Sequence, residues 1–269
     1  MHLKCSIFMP CKVSFLETLQ TKGVRPLFPC YRLNFAVVTQ PASRFLKDLS
    51  LKAVLFDHDG VLVDSMPFHV RAWQLAFAER EIALAPQEVL LSEGSRSVEL
   101  AAQIFKRHDV VLARDELNEL VARKQALYRA MTRANVSPGT RRLLSRLKQA
   151  GLLLGLVTGS ALANVKAVLP PSVLALFDAV VTGDDVAVGK PDPAGYLAAA
   201  KGLGVEPEAC LVVENAPLGI EAARRAGMRV AALTTTLDGS QLEGADYLFR
   251  DLQEMAESWE QWMEERKLR

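Results

Sequence analysis

From Lys52 onward the chain alternates short apolar runs with longer stretches whose apolar positions recur every three or four residues. The runs "KAVLF" (52–56), "LLLGLV" (152–157), "AVVT" (179–182), "CLVV" (210–213) and "RVAAL" (229–233) show no apolar–polar alternation. A strand with one wet face alternates; an unbroken run is covered on both faces. Between the runs, 139–150, 161–169, 193–202 and 217–227 read as helices, the last closing on Gly227 in the position after its C-cap. Strands separated by helices predict an α/β fold, a doubly wound parallel sheet with right-handed crossovers.

One stretch breaks the alternation. Residues 67–132 hold only helical patterns, at 67–80, 97–108 and 115–132, between the first strand and the second. This predicts a small helical cap domain at 67–135, inserted into a core made of 51–66 and 136–269. Its hinges are expected near Ser65–Pro67 and Asn135–Pro138.

The first fifty residues differ from the rest. They carry seven Lys/Arg against two acids and show no clean period. Pro10 and the charges interrupt any secretory h-region. Three readings stand: a mis-assigned start, an organellar transit peptide, or a flexible extension. A cytoplasmic location is expected, or an organellar one if 1–50 is a transit peptide. Net charge is +1, so the composition gives no reason to expect a nucleic-acid partner. No apolar run reaches the roughly 18 to 20 residues of a membrane span. The four cysteines, at 5, 11, 30 and 210, form no C-x-x-C pair. They predict a reducing compartment, no zinc site and a buried thiol at Cys210.

Ligands of open parallel sheets bind beyond the carboxyl ends of the strands. After the first run stand Asp57 and Asp59, after the second Thr158, Gly159 and Ser160, before Pro191 the lysine Lys190, and after "CLVV" the pair Glu214 and Asn215. Each has a plain reading: a turn, a solvated lysine, an N-cap ahead of Pro217. Together they offer what phosphoryl transfer requires. A phosphate monoester repels a carboxylate nucleophile unless cations intervene. Mg²⁺ takes hard oxygen ligands, and Asp57, Asp59, a main-chain carbonyl, and Glu214 with Asn215 are the candidates to supply them. Lys190 adds positive charge and Thr158 a hydroxyl donor. Asp57 then becomes the aspartyl phosphate, and Asp59 handles the proton of the leaving and attacking oxygens.

The stretches "FDHDGVLVDS", "LVTGSA", "VGKPDP" and "VVENAPLGIEAARRAG" resemble, in order, the four motifs of the haloacid dehalogenase-like superfamily, over about residues 52–250. The resemblance implies Asp57 as nucleophile, Asp59 as acid and base, and Thr158 and Lys190 as stabilisers of the phosphoryl group. It argues against the dehalogenases themselves, which need no second aspartate at the Asp59 position. Within the superfamily the chain is most similar to the β-phosphoglucomutase-like and sugar-phosphate phosphatase branch. That similarity implies His69, Arg96 and Lys124 as substrate-binding groups of the cap, with Gly159 and Ser160 beside the phosphate. Solvated helix faces are the plain reading of all three cap residues.

Two positions depart from the branch. Glu93 stands where a mutase favours lysine, and Asn215 stands where an aspartate is common. The first disfavours a bisphosphorylated sugar; the second predicts weaker metal affinity, since one negative charge is lost. The expected function is a Mg²⁺-dependent phosphatase of small phosphate esters, sugar phosphates above all. The rivals are a phosphohexomutase and a catalytically idle phosphate-binding protein.

Overall fold

The computed structural model describes residues 51–267. The expectations for residues 1–50 lie outside them. Six strands form one parallel sheet: β1 Ala53–Phe56, β2 Leu153–Val157, β3 Ala179–Val181, β4 Cys210–Glu214, β5 Arg229–Leu233 and β6 Tyr247–Phe249, in the order β3-β2-β1-β4-β5-β6. β1 is central, with Ala53 opposite both Leu153 and Cys210.

Side-chain alternation sorts the apolar runs into two cores. Val54 and Phe56 join Leu154, Leu156, Leu211 and Val213 on one face. Helices α5 (Thr140–Gln149) and α10 (Leu252–Lys267) cover that face with Leu143, Leu147, Met255 and Trp259. Ala53, Leu55, Cys210 and Val212 face the other way, under α8 (Ala194–Leu203) and α9 (Pro217–Arg225). The fully covered Cys210 is the buried thiol the sequence predicts.

Between β1 and β2 lie α1 (Met66–Ala78), α2 (Pro86–Leu90), α3 (Ser97–Arg107) and α4 (Arg114–Met131). They share a third apolar cluster, including Trp73, Phe77, Ile104, Phe105 and Leu120. The expected helical ranges hold within one or two residues. Gly227 has φ +78, as its place after α9 requires. Short helices α6 (Leu162–Val168) and α7 (Pro171–Leu174) fill the β2–β3 crossover.

Two terminal elements escape the sequence reading, for different reasons. β6 has three residues, too few to show a period. α10 is legible: Leu252, Met255, Ala256 and Trp259 follow i, i+3, i+4, i+7 spacing and are all buried. Among the described residues no helix is long and apolar enough to cross a membrane.

Candidate active site

The chain leaves β1 for β2 on one side and reaches β4 on the other, so a crevice opens beyond the β1 and β4 ends. Asp57 lies at its floor, with its backbone N–H donating to Val213 O at 3.0 Å. Asp57, Asp59, Thr158, Lys190, Glu214 and Asn215 are all buried. They come from three strand ends and one loop, which is the convergence the sequence predicts.

Lys190 ties the floor together. Its Nζ lies 2.5 Å from Asp57 Oδ1 and 2.6 Å from Glu214 Oε1. Burial alone would lower its pKa; the two carboxylates outweigh that and raise it well above the usual value. Glu214 also accepts from Tyr196 OH at 2.7 Å and from the backbone N–H groups of Asn215 and Ala216 at 2.9 and 3.3 Å. Gly219, in the first turn of α9, is required here: a Cβ would come 1.7 Å from Glu214 Oε1. Glu214, expected as a metal ligand, is therefore engaged on both oxygens and anchors Lys190. Tyr196, which the sequence reading passes over, completes that anchor.

Asp59 accepts three hydrogen bonds: Ser65 Oγ at 2.6 Å and His69 Nε2 at 3.0 Å on Oδ1, and Ser160 Oγ at 2.7 Å on Oδ2. Burial would push this carboxyl up; the facing His69 and His58 rings, with the His69 and Ser65 bonds, hold it well below the ordinary range. His69 Nδ1 meets Lys124 Nζ at 2.8 Å. Burial and Lys124 hold His69 below its ordinary value, so a neutral ring donating from Nε2 and accepting at Nδ1 satisfies both contacts. Lys124 is pushed down to about 8 by burial. It lies over the Trp73 and Tyr128 rings, and His69 stacks on Tyr128.

Three expected substrate contacts are placed differently. Ser160 is spent on Asp59. Arg96 does not line the cavity; its guanidinium donates to the Ala187 carbonyl on the loop before Lys190. Gly189 brings that loop close, since a Cβ there would lie 2.9 Å from Arg96 N. Lys124 does line the cavity, but through its bond to His69.

Glu93 is the residue whose place the sequence does not foretell. It does not pair with Arg96. It enters the cavity, where Asn215 Nδ2 donates to its Oε2 at 3.3 Å. Burial, then Asp57, Asp59 and Glu214, push its carboxyl well above the usual range.

The cavity holds about 540 Å³ of open space, lined on one side by Asp57, Asp59 and Thr158 and on the other by Trp73, Glu93 and Leu100. Among the described residues no three His, Cys, Asp or Glu side chains converge as a ready-made metal cluster. Mg²⁺ needs none, since it keeps several waters and takes one or two carboxylates. Two observations fit it. Asn215 Oδ1 is buried without a hydrogen-bond partner. Asp57 is pushed up to about 8 by burial, against which Lys190 pulls down while Glu214 and Asp59 add to the rise. An added cation would satisfy the first and ionise the second. Gly60, at φ +80, makes room for the amide, because a Cβ there would lie 2.2 Å from Asn215 Nδ2.

His58 stands between the two aspartates, buried, with both ring nitrogens lacking a hydrogen-bond partner. An unsatisfied buried polar group costs about 1–3 kcal/mol. His58→Leu is expected to stabilise the fold and raise the thermal midpoint by about 2–4 °C. A midpoint unchanged or lowered in calorimetry would mean the ring is satisfied in solution.

Residues 51–227 match the model of the haloacid dehalogenase-like hydrolase family. The validoxylamine A 7′-phosphate phosphatase of Streptomyces hygroscopicus subsp. limoneus is 38% identical over 208 residues, 76% of this chain and 95% of that protein. The β-phosphoglucomutase of Bacillus subtilis (strain 168) is 32% identical over 79% of this chain and 97% of its own. Among solved structures, a hydrolase from Pseudomonas syringae superposes with a TM-score of 0.72 at 27% identity, covering 78% of this chain and 98% of that one.

Proposed function

The chain belongs to the haloacid dehalogenase-like hydrolases, in their sugar phosphatase and phosphomutase group, and from that premise we propose that it is a Mg²⁺-dependent phosphatase of a small monophosphorylated sugar or polyol. Asp57, the Asp59 main-chain carbonyl and Asn215 Oδ1 would hold Mg²⁺, which supplies charge neutralisation to the phosphoryl group. Asp57 then forms a bond to phosphorus as the ester P–O bond breaks, and Asp59, ionised in the free site and taking up a proton with the substrate, gives that proton to the leaving oxygen. Water attacks the aspartyl phosphate next, Asp59 takes the proton of that water, and phosphate leaves with Asp57 restored. Lys190 and Thr158 donate to the phosphoryl oxygens as charge develops. Ser65, His69 and Ser160 keep Asp59 oriented between the two steps.

Relatives of both activities match this chain, so the choice between hydrolysis and isomerisation rests on the cavity. The carrying observation is the state of the cap's cations. Arg96 donates to Ala187 O, Lys124 is held by His69, and the group that enters the cavity is the carboxyl of Glu93. A mutase has to grip a second phosphate on the cap side, and a carboxyl group there offers it no positive charge.

The test supplies β-glucose 1-phosphate with a trace of glucose 1,6-bisphosphate and follows glucose 6-phosphate and free phosphate together. The expected outcome is one free phosphate per substrate consumed. Isomerisation faster than phosphate release would reverse the assignment. A hydrolysis screen over phosphorylated metabolites then ranks the substrates.

A further inference from the structure

We propose that Glu93, carried by the helical insert, supplies to the cation site the negative charge that Asn215 lacks, so that cation binding and seating of the insert on the sheet are one coupled equilibrium. The inference rests on the metal-dependent reading above, but it concerns a residue outside the four motifs.

The observations are geometric. Asn215 is a neutral amide with no exposed surface. Its Nδ2 is used twice, toward Thr236 Oγ1 at 3.0 Å and Glu93 Oε2 at 3.3 Å. That fixes the amide with Oδ1 as its remaining atom, and Oδ1 has no partner. The second Glu93 oxygen, Oε1, is likewise buried without a partner. A carboxyl group therefore sits in the crevice, half satisfied, against the residue that would otherwise bring the charge.

The charge count points the same way. Asp57, Asp59, Glu214 and Glu93 face one another with Lys190 as the ammonium bonded among them. Lys124 reaches this group through His69 alone. Four buried carboxyls against one such ammonium are costly unless a further cation joins them. Glu93 lies 122 residues before Asn215 and belongs to the insert. Its charge reaches the site when the 92–96 segment is seated on the Thr158–Ser160 and Val188–Lys190 loops, as the close approaches of Gly94 to Lys190 and Gly159 show. Whatever binds better to the seated form holds the insert in place, and the converse follows by linkage.

The experiment measures cation affinity directly on the full chain, by calorimetric titration with Mg²⁺ and by the electron paramagnetic resonance of Mn²⁺. Glu93→Gln is expected to weaken binding about tenfold, because a buried charge near a divalent ion is removed. Glu93→Gln combined with Asn215→Asp is expected to return to within about twofold of wild type, since the charge is restored from the other side. Amide exchange of residues 92–96 is expected to slow on adding Mg²⁺ in wild type and to respond less in Glu93→Gln. Affinity unchanged in Glu93→Gln overturns the proposal and leaves the phosphatase reading standing. A weakened single variant that the second substitution fails to rescue also overturns it, because Glu93 would then act through packing. Wild-type protein that hydrolyses phosphate esters without binding either ion removes the metal reading and this proposal together.

Discussion

Asp57→Asn protein is expected to release no measurable phosphate, a loss on the order of 10⁴-fold or more. The amide cannot form the phosphoryl bond, while the rest of the site stays in place. Lys190 keeps its 2.6 Å pairing with Glu214, and Asp59 keeps its three donors. Stability should not fall with activity. The Asp57 carboxyl is raised by burial to about 8, from 3.8, despite Lys190. A group that binds its proton more tightly when folded favours the fold below its unfolded pKa and loses that contribution as pH rises through its folded pKa. Between pH 4 and 8 keeping that proton in the fold is therefore a growing cost to the cation-free protein, and asparagine removes it. The expected pair of results is inactive protein with a melting midpoint at pH 7 equal to or above wild type. Mass spectrometry of acid-quenched wild type should place a phosphoryl group on Asp57. Turnover in Asp57→Asn within tenfold of wild type would end the covalent reading.

The largest expected effect on stability comes from Lys190→Met. Methionine fills a similar volume but leaves Asp57 and Glu214 buried without the ammonium between them. Breaking a buried pair by removing one partner costs about 3–5 kcal/mol. Chemical denaturation at pH 7.5 is expected to show that loss, with turnover down about 10²- to 10³-fold from the missing donor to the phosphoryl oxygens. The deficit should be larger at pH 9, above the raised Asp57 pKa of about 8, than at pH 5, where that carboxyl is protonated and needs no cation. A stability loss under 1 kcal/mol at pH 7.5 would mean that the two carboxyls share a proton or relax apart, and that Lys190 is no structural keystone.

Much of this architecture is legible in the chain. Unbroken apolar runs announce strands buried on both faces, and the structure supplies both covering layers from α5 and α10 on one side and α8 and α9 on the other. Asp57 and Asp59 follow β1 at a spacing that an extended chain directs to one side. Thr158, Lys190, Glu214 and Asn215 could be assigned to the crevice because a strand end has a defined place in a parallel sheet. The helix after β6 was open to the same reading, from its spacing of Leu252, Met255, Ala256 and Trp259.

What the sequence by itself determined is thus local: which segments are strands or helices, which face is apolar, and which reactive groups stand at strand ends. Period and turn chemistry act over a few residues, so they can be read along the chain. The partners of those groups were decided by the tertiary structure. Lys190 reaches Asp57 across 133 residues, Ser160 reaches Asp59 across 101, and Asn215 reaches Glu93 across 122. Such pairs depend on sheet register, on loop paths and on how the insert sits over the crevice, none of which has a local signature. For the same reason Arg96, implied by similarity as a substrate-binding group of the cap, turns to the Ala187 carbonyl, and Glu93 faces the amide of Asn215. A hydrogen bond a few ångströms long is settled by where two distant backbones come to rest, and burial then makes the choice of partner costly to change.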